Sequence, residues 1–344
     1  MRGTAPVTVL LVLAVACGDS GDSGPGEPMH SVRVSAAAGS IGGGVITSSP
    51  AGISCTINGT TSSGTCSAAF APGTFLELTT VRNAGSRLRE WSAPCSQGPT
   101  CFIAGLQADV TLTAAFEPAT ALVFDGVQRF AEIPDADALD VAATWTIEAW
   151  ILPAPPGGGG IQHIVSKWGV TGAASYSFEM NGTELKLATS NGVDPTTVLI
   201  APDALTVDAW QHVAVTFNNG AVILYVNGNP IAESLAMAIP MNSDKPLSFG
   251  REGPPFNGYY FKGILDEVRI WQVARTGDEV FGSMMQVIPS PQAGLVGYWR
   301  LDESGGQSID DLSGSGNSGT LGATAGPEAS DPVWSSNTSL ADGP

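Results

Sequence analysis

The segment Trp145-Thr146-Ile147-Glu148-Ala149-Trp150-Ile151 carries the pattern from which the fold of the larger part of this chain can be predicted. Apolar residues occupy every second position in it, and this alternation places them on one face of a β-strand. His212-Val213-Ala214-Val215-Thr216-Phe217 repeats the pattern, and the dipeptides Asn219-Gly220 and Asn227-Gly228 are typical of tight hairpin turns. Consecutive hairpins with one apolar face need a second sheet to cover that face, so the sequence predicts a β-sandwich.

The composition agrees with an all-β protein. The chain has 344 residues, of which 43% are hydrophobic and 13% charged, and it contains 43 glycines and 24 prolines. It is long enough for two domains and rich in the residues that form tight turns. One helix is expected after Arg275, because Thr276 and Glu279 have the spacing of a capping box.

Further motifs extend the pattern through residues 118–344. In chain order they are ALVFDG at 121–126, WTIEAW at 145–150, WQHVA at 210–214, LYVNG at 224–228, FKGILDEVRIW at 261–271, GLVGYWRLDE at 294–303 and DLSG at 311–314. This set resembles the laminin-G-like, concanavalin-like jelly-roll family and spans nearly the whole of the region. The resemblance implies a two-sheet sandwich over residues 118–344 that presents edge loops and a sheet face to ligands.

Four cysteines lie together in residues 30–117, which we predict to be a separate small β-rich domain. An even number of cysteines in an exported chain indicates disulfides, and the alternative, a metal site, lacks a CxxC pair. Four cysteines allow three pairings, and the short separations favour Cys55–Cys66 and Cys95–Cys101.

The small domain also carries a family resemblance. Its segments are GVITSSPAGISC at 44–55, GTCSAAF at 64–70, EWS at 90–92 and LTAAF at 112–116. They are similar to a bacterial repeat family related to the internalin B repeats. That resemblance implies a β-rich spacer module on a surface protein, with no chemistry of its own.

The first 17 residues have the pattern of an export signal. An apolar run at residues 7–16 follows a single charge, Arg2, and is too short to span a bilayer. The run ends in Leu13-Ala14-Val15-Ala16-Cys17, which resembles a bacterial lipobox whose cysteine is lipidated. Two features depart from that pattern: the leucine lies one position too early, and the charged region is weak. The alternative is ordinary cleavage that releases the protein.

The expected location follows from this signal. Residues 18–29 read GDSGDSGPGEPM, a flexible linker rich in Gly, Ser and Asp. Gly18 after Cys17 favours delivery to the outer membrane or cell surface, by resemblance to known sorting patterns. We therefore expect an exported lipoprotein that contacts a membrane through its lipid anchor only.

Charge and motif content bear on function. The chain has 32 acidic against 14 basic residues, a formal net charge of −18, which disfavours binding to nucleic acid or to anionic lipid surfaces. Histidine is scarce, and no Ser/His/Asp order, HExxH, Walker or dinucleotide motif occurs. We predict that the chain is not an enzyme.

A glycoside hydrolase is the enzyme alternative, because concanavalin-like sandwiches include such enzymes. They need two carboxylates in one cleft. Asp266 and Glu267 are adjacent on a predicted strand and should therefore point to opposite faces, while Glu148 stands alone on its strand. The sequence does not favour this chemistry.

Calcium is the cofactor that the resemblance implies, since this family often carries a calcium ion near the sheet edge. Carboxylates in Gly-rich turns suit its preference for oxygen ligands. The candidate ligands are Asp125, Asp266 and Asp311. The alternative is that each carboxylate caps its own turn.

Carbohydrate binding usually needs an exposed aromatic platform beside polar groups. Phe256, Tyr259 and Tyr260, in a Gly/Pro-rich loop, are the candidates, with Trp168 behind them. The predicted function is a non-catalytic binding or adhesion module for an extracellular glycan or protein. A purely structural envelope component remains the second interpretation.

Overall fold

The computed structural model describes residues 28–95, 100–155, 160–169, 174–193, 196–254 and 258–339. Within them, residues 30–118 form a small unit of two sheets. Its strands are β1 His30–Ala36, β2 Gly43–Ser49, β3 Ser54–Asn58, β4 Thr61–Thr65, β5 Ser67–Phe70, β6 Leu76–Arg82, β7 Ser86–Trp91, β8 Thr100–Ile103 and β9 Val110–Pro118.

The small unit packs one sheet, ordered β5-β1-β9-β7, against the other, ordered β4-β3-β2-β6-β8. Its core holds Val34, Ile46, Leu78 and Phe116, all fully buried. The predicted disulfides Cys55–Cys66 and Cys95–Cys101 are both confirmed, and they close short loops of 11 and 6 residues' separation.

The larger unit contains sixteen strands among the described residues. They are β10 Ala121–Asp125, β11 Ala131–Ile133, β12 Thr144–Pro153, β13 Ile161–Lys167, β14 Tyr176–Asn181, β15 Glu184–Thr189, β16 Thr197–Ala201, β17 Gln211–Asn218, β18 Ala221–Val226, β19 Asn229–Ser234, β20 Leu247–Phe249, β21 Lys262–Trp271, β22 Leu295–Trp299, β23 Ser308–Ile309, β24 Gly319–Leu321 and β25 Val333–Ser335. A 3₁₀ turn, Asp137–Leu139, and one helix, α1 Gly277–Ser283, complete the regular structure described.

These strands form a sandwich of two sheets, as predicted. The first sheet has the order β19-β18-β17-β12-β21-β10-β25, with β22 also paired to β21. The second sheet has the order β16-β15-β14-β13-β20-β11-β24-β23. Trp145, Ile147, Phe178 and Phe249 meet in the fully buried core between the sheets. Asn219-Gly220 and Asn227-Gly228 form the two predicted hairpin turns, with φ positive at all four residues.

Helix α1 begins with the predicted capping box, in which Thr276 accepts the Glu279 backbone N–H and Glu279 accepts that of Thr276. Its Val280 packs with Ala214 and Tyr225 on the face of the first sheet that points away from the core. No helix among the described residues is long and apolar enough to cross a membrane.

The prediction that Asp266 and Glu267 point to opposite faces is wrong. Strand β21 has a bulge here, because Glu148 pairs with Arg269 while Trp150 pairs with Asp266. Two residues of β21, 267 and 268, therefore lie opposite the single residue Ala149 of β12. Glu267 takes a left-handed φ of 51°, and the next residue of the strand returns to the core. The bulge therefore puts both carboxylates on the outer face of the first sheet.

That outer face also receives the small unit. Arg87 on β7 donates to Glu117 and Glu267 and forms an ion pair with Asp302, while Arg300 pairs with Glu117 at 2.7 Å. We call Arg87, Glu117, Glu267, Arg300 and Asp302 the junction cluster. It joins the two units through buried or largely buried charges.

Candidate functional site

One sheet face outside the core is lined by polar residues from five neighbouring strands. Val165, Phe178 and Leu187 point into the core, so the residues that alternate with them point outward. The strand register aligns the outward residues in two cross-strand rows. The polar face, as we name it, consists of Glu132, Ser248, Ser166 and Ser177 in one row and His163, Glu179 and Lys186 in the other.

A chain of polar contacts runs across β13, β14 and β15. His163 Nδ1 lies 2.5 Å from Ser177 Oγ, Ser177 Oγ donates to Glu179 Oε2 at 3.2 Å, and Lys186 Nζ lies 2.9 Å from Glu179 Oε1. Burial, and secondarily the Lys186 charge, lower the pKa of His163 to about 3. The imidazole is therefore neutral; with Nδ1–H donating to the serine, Nε2 is left as an acceptor.

Two serines of the polar face have no hydrogen-bond partner among the described residues. Ser166 and Ser248 face each other across β13 and β20, and both are fully buried. A buried hydroxyl without a partner costs about 1–3 kcal/mol, so this pair of serines is an unfavourable feature within the polar face. Beside them, Glu132 forms an ion pair with Arg251, whose guanidinium stacks 3.4 Å from the Phe130 ring.

An exposed aromatic ring stands at the His163 end of the polar face. Tyr259 is 53% exposed, and its ring centroid lies 5.9 Å from that of His163. The Tyr259 carbonyl accepts the His163 backbone N–H at 2.9 Å, and Tyr260 forms a parallel bridge to His163. Tyr259 adopts a left-handed φ of 56°, a conformation that bulky residues rarely take outside functional or strained sites.

The loop that carries Tyr259 spans the length of β13. It leaves β20 at Gly250, whose N–H bonds the Ile164 carbonyl, and Gly253 lies against Trp168 just beyond the far end of β13. A Cβ at Gly253 would lie 2.1 Å from the Trp168 carbonyl oxygen, so this approach requires glycine. Trp168 and Tyr260 are half-buried, and the fourth predicted ligand residue, Phe256, lies outside the described residues.

The polar face lacks the arrangement of a hydrolytic triad. A triad places the serine and the acid on opposite imidazole nitrogens. Here Ser177 Oγ and Glu179 Oε2 lie on the same side, 2.5 and 3.7 Å from Nδ1 of His163, and the serine is fully buried.

The other carboxylates considered for catalysis are enclosed. Glu148 and Glu267 are at most 1% exposed, so a polysaccharide cannot reach them in this structure. His212 is buried beside Glu148, with Nε2 3.4 Å from Oε2, and burial lowers its pKa.

The three predicted calcium ligands lie in separate places, each engaged in its own hydrogen bonds. Asp125 accepts the backbone N–H groups of three following residues, and Asp266 accepts the N–H and hydroxyl of Ser339. Asp311 caps a loop through Tyr298 and Ser313. No group of three or more His, Cys, Asp or Glu among the described residues is placed to hold a metal ion. These residues do not fit one calcium site, and calcium binding stays a prediction that thermal unfolding with calcium or EDTA would test.

The sequence pointed to Tyr259, which is exposed, but it did not point to the polar face. The available signal was the alternation in Tyr176-Ser177-Phe178-Glu179-Met180, where polar side chains alternate with large apolar ones. That pattern predicts a strand with a polar outer face, but it does not reveal that the outer face is itself largely buried.

Comparison with known proteins shows what the larger unit is similar to. Residues 125–281, somewhat less than half of the chain, match the concanavalin A-like lectin/glucanases superfamily. The larger unit therefore contains a concanavalin A-like domain. A stretch of 174 residues is 26% identical to the adhesion G-protein coupled receptor V1 of Danio rerio, covering 47% of this chain and 3% of the receptor. The chain thus spans a small fraction of that relative's length.

One solved structure shares this fold at low sequence identity, and further structures are similar to parts of the chain. A candidate carbohydrate-binding protein from Bacteroides ovatus superimposes with a TM-score of 0.50 at 20% identity, covering 81% of this chain and 77% of its own. The carbohydrate-binding module of the Ruminococcus gnavus IT-sialidase, solved with α2,3-sialyllactose, gives 0.38 at 16% identity over 46% of this chain and 95% of its own. A pentraxin from Limulus polyphemus gives 0.43 at 14%, over 63% and 94% of the two chains.

Proposed function

We propose that this chain is an exported lipoprotein whose sandwich binds carbohydrate at the exposed Tyr259 ring beside the polar face, without catalysing its conversion. The observation that carries the proposal is the exposed Tyr259 ring held against a hydrogen-bonded polar row outside the core. Sugars present an apolar face and several hydroxyls, and protein sites match these with an aromatic ring and fixed polar groups.

The polar groups are held in place before any ligand arrives. His163, Ser177, Glu179 and Lys186 fix one another through the contacts described above, so binding does not require them to be ordered. Preorganisation of this kind raises affinity because less conformational entropy is lost on binding. The ligand class is also the one ascribed to the Bacteroides ovatus protein of the same fold.

A glycan array with the full chain and the variant Tyr259→Ala tests the proposal. Since Tyr259 is 53% exposed, its truncation should weaken glycan binding at least about tenfold while leaving the melting temperature nearly unchanged. Phe102→Ala is the matched control, because Phe102 is 55% exposed on the small unit. Unchanged binding in the Tyr259 variant would contradict the site, and a blank array for the wild type would favour the purely structural interpretation.

A glycoside hydrolase remains a further candidate because of the carboxylates of Glu252 and Glu179. Burial, and secondarily the charge of Glu179, raise the pKa of Glu252, and a raised carboxyl pKa is what a glycosidase requires of its general acid. We expect no turnover, because Glu179 is already held by Lys186 and Ser177. Reducing-sugar release from polysaccharides that is abolished by Glu252→Gln would establish the hydrolase instead.

The anchor is part of the proposal. Cys17 and residues 18–27 lie outside the described residues, so the support is the sequence pattern alone. Radiolabelled palmitate should enter the wild-type protein expressed in a bacterial host but not the Cys17→Ala variant. If neither the wild type nor the Cys17→Ala variant took up label, ordinary signal cleavage would be favoured.

A further inference from the structure

The sandwich has a recess, separate from the polar face, at the side where both of its sheets end. Strand β25 is the edge of the first sheet and β23 that of the second, and Trp334 on β25 donates its indole N–H to the Gly306 carbonyl ahead of β23. Between these edges lies an open pocket of about 480 Å³. Its volume is within the range of small-molecule sites, roughly 300–1,000 Å³. This pocket involves none of the residues of the polar face.

The pocket combines an aromatic side chain with acceptors that lack donors. Trp334 and Leu321 provide its apolar lining, and Gln307, Asp331 and Arg129 provide polar groups. The side-chain atoms Gln307 Oε1, Asp331 Oδ1 and Arg129 Nε are buried without a hydrogen-bond partner among the described residues. The first two are acceptors and the third is a donor, so the missing partners are groups that, like hydroxyls, can both donate and accept.

The charges that line the pocket restrict the class of ligand further. The lining carries two carboxylates, Glu328 and Asp331, against one guanidinium, that of Arg129. Arg129 Nε lies 3.7 Å from Asp125, outside hydrogen-bond distance but close enough to offset the arginine's charge. An anionic ligand would meet net repulsion here, whereas a ligand with neutral donors would not.

We propose that this edge pocket is a second carbohydrate site, which takes one neutral sugar unit against Trp334 with hydroxyls donating to Gln307 and Asp331. The tryptophan meets the apolar face of the sugar ring, and the two acceptors receive hydroxyl protons. A chain with two separate sugar sites binds a polymeric glycan more tightly than either site alone, because binding at the second site becomes intramolecular.

Isothermal titration calorimetry of the full chain with glucose, galactose, mannose and N-acetylglucosamine tests the pocket. Gln307→Ala removes the unpartnered acceptor and leaves the Gln307 backbone carbonyl, which accepts the Leu321 N–H, in place. We expect this variant and Trp334→Ala to weaken binding of at least one neutral sugar about tenfold or more. Gln107→Ala, an exposed glutamine on the small unit, is the control and should bind as the wild type does.

The outcomes separate this proposal from that for the polar face. Trp334 packs partly against the core, so the melting temperature of its variant must be measured. If the Trp334 variant does not fold, the Gln307→Ala variant still tests the pocket. Sugar binding that survives Gln307→Ala but is lost in Tyr259→Ala would overturn the edge pocket and support the polar face. Loss in Gln307→Ala with binding kept in Tyr259→Ala is the expected pattern for the pocket. Wild-type protein that binds none of the four sugars would also overturn the proposal.

Discussion

Glu148 shows how a single residue acquires its role from partners distant in the sequence. It is fully buried, and its carboxylate pairs with Arg275, lies 3.8 Å from Arg269 and 3.4 Å from His212. Burial opposes the charged carboxylate, but these neighbours outweigh it and lower the pKa of Glu148 to about 2. On its own strand Glu148 is the only acid, so this arrangement could not be predicted from the segment itself.

We predict that Glu148→Ala destabilises the protein by about 3–5 kcal/mol, because it leaves the largely buried guanidinium of Arg275 without its carboxylate. Arg269 also loses a nearby charge but keeps its ion pair with Glu267. Urea unfolding monitored by tryptophan fluorescence measures the change. Glu233→Ala, at an exposed glutamate on β19, is the control and should stay within about 0.5 kcal/mol. A loss below about 1 kcal/mol at Glu148 would show that the arginines find other partners.

At the scale of elements, the hairpins and the helix could be predicted because their signals are local. Each Asn-Gly pair specifies its own turn through the positive φ angles that those two residues tolerate, and the capping box specifies the start of α1. The packing of α1 over the hairpin turn at Gly228 could not be predicted, since it joins segments about fifty residues apart.

That packing gives a prediction with a matched pair of glycines. Gly228 and Gly182 both lie in hairpin turns with positive φ, 74° and 63°, so alanine costs similar backbone strain at each. A Cβ at Gly228 would lie 2.6–3.1 Å from Phe281 of α1, whereas one at Gly182 meets nothing within 4 Å. Gly182→Ala should cost about 1–2 kcal/mol, and Gly228→Ala about 1–3 kcal/mol more because of the clash. Equal losses in thermal or urea unfolding would show that α1 moves aside.

The bulge in β21 limits what strand alternation predicts. Strict period two puts Asp266 and Glu267 on opposite faces, but the inserted residue turns both outward. Alternation alone cannot reveal an inserted residue, because the partner strand decides where it is accommodated. The same limit applies to the row of the polar face that joins Glu132 and Ser248 to Ser166, because β11, β20 and β13 are far apart in the chain and meet only through the sheet register.

At the scale of the molecule, the two units are held together by charge rather than by a shared apolar core. The apolar clusters of the small unit and the sandwich contain no common residue, and the junction cluster lies between them. Composition predicted two domains, but the ion pairs between them depend on the relative placement of β7, β9 and β21, which no single segment encodes.

Asp302 of the junction cluster makes this contact sensitive to pH. Burial, with Glu267 and Glu117, raises the pKa of Asp302 to about 7, against the opposing effects of Arg87 and the Thr120 N–H. The ordinary pKa of an aspartate carboxyl is 3.8. Between these values the folded protein holds a proton that the unfolded chain has lost. The contribution of Asp302 to stability is therefore fully present below about pH 4 and is lost as the pH rises through 7.

Removal of this carboxyl should therefore flatten the pH dependence of stability. From pH 5 to pH 8 the wild type should lose roughly 2 kcal/mol more of its free energy of unfolding than Asp302→Asn does, since the amide does not titrate. The difference between the two slopes is the quantity to measure, by urea unfolding at both pH values, because the other titrating groups contribute to both proteins alike. Asp278→Asn, at an exposed carboxylate on α1, should keep the wild-type slope. Parallel slopes for the wild type and Asp302→Asn would mean that Arg87 and Arg300 keep Asp302 ionised throughout, and that the junction is a set of permanent ion pairs rather than a titrating contact.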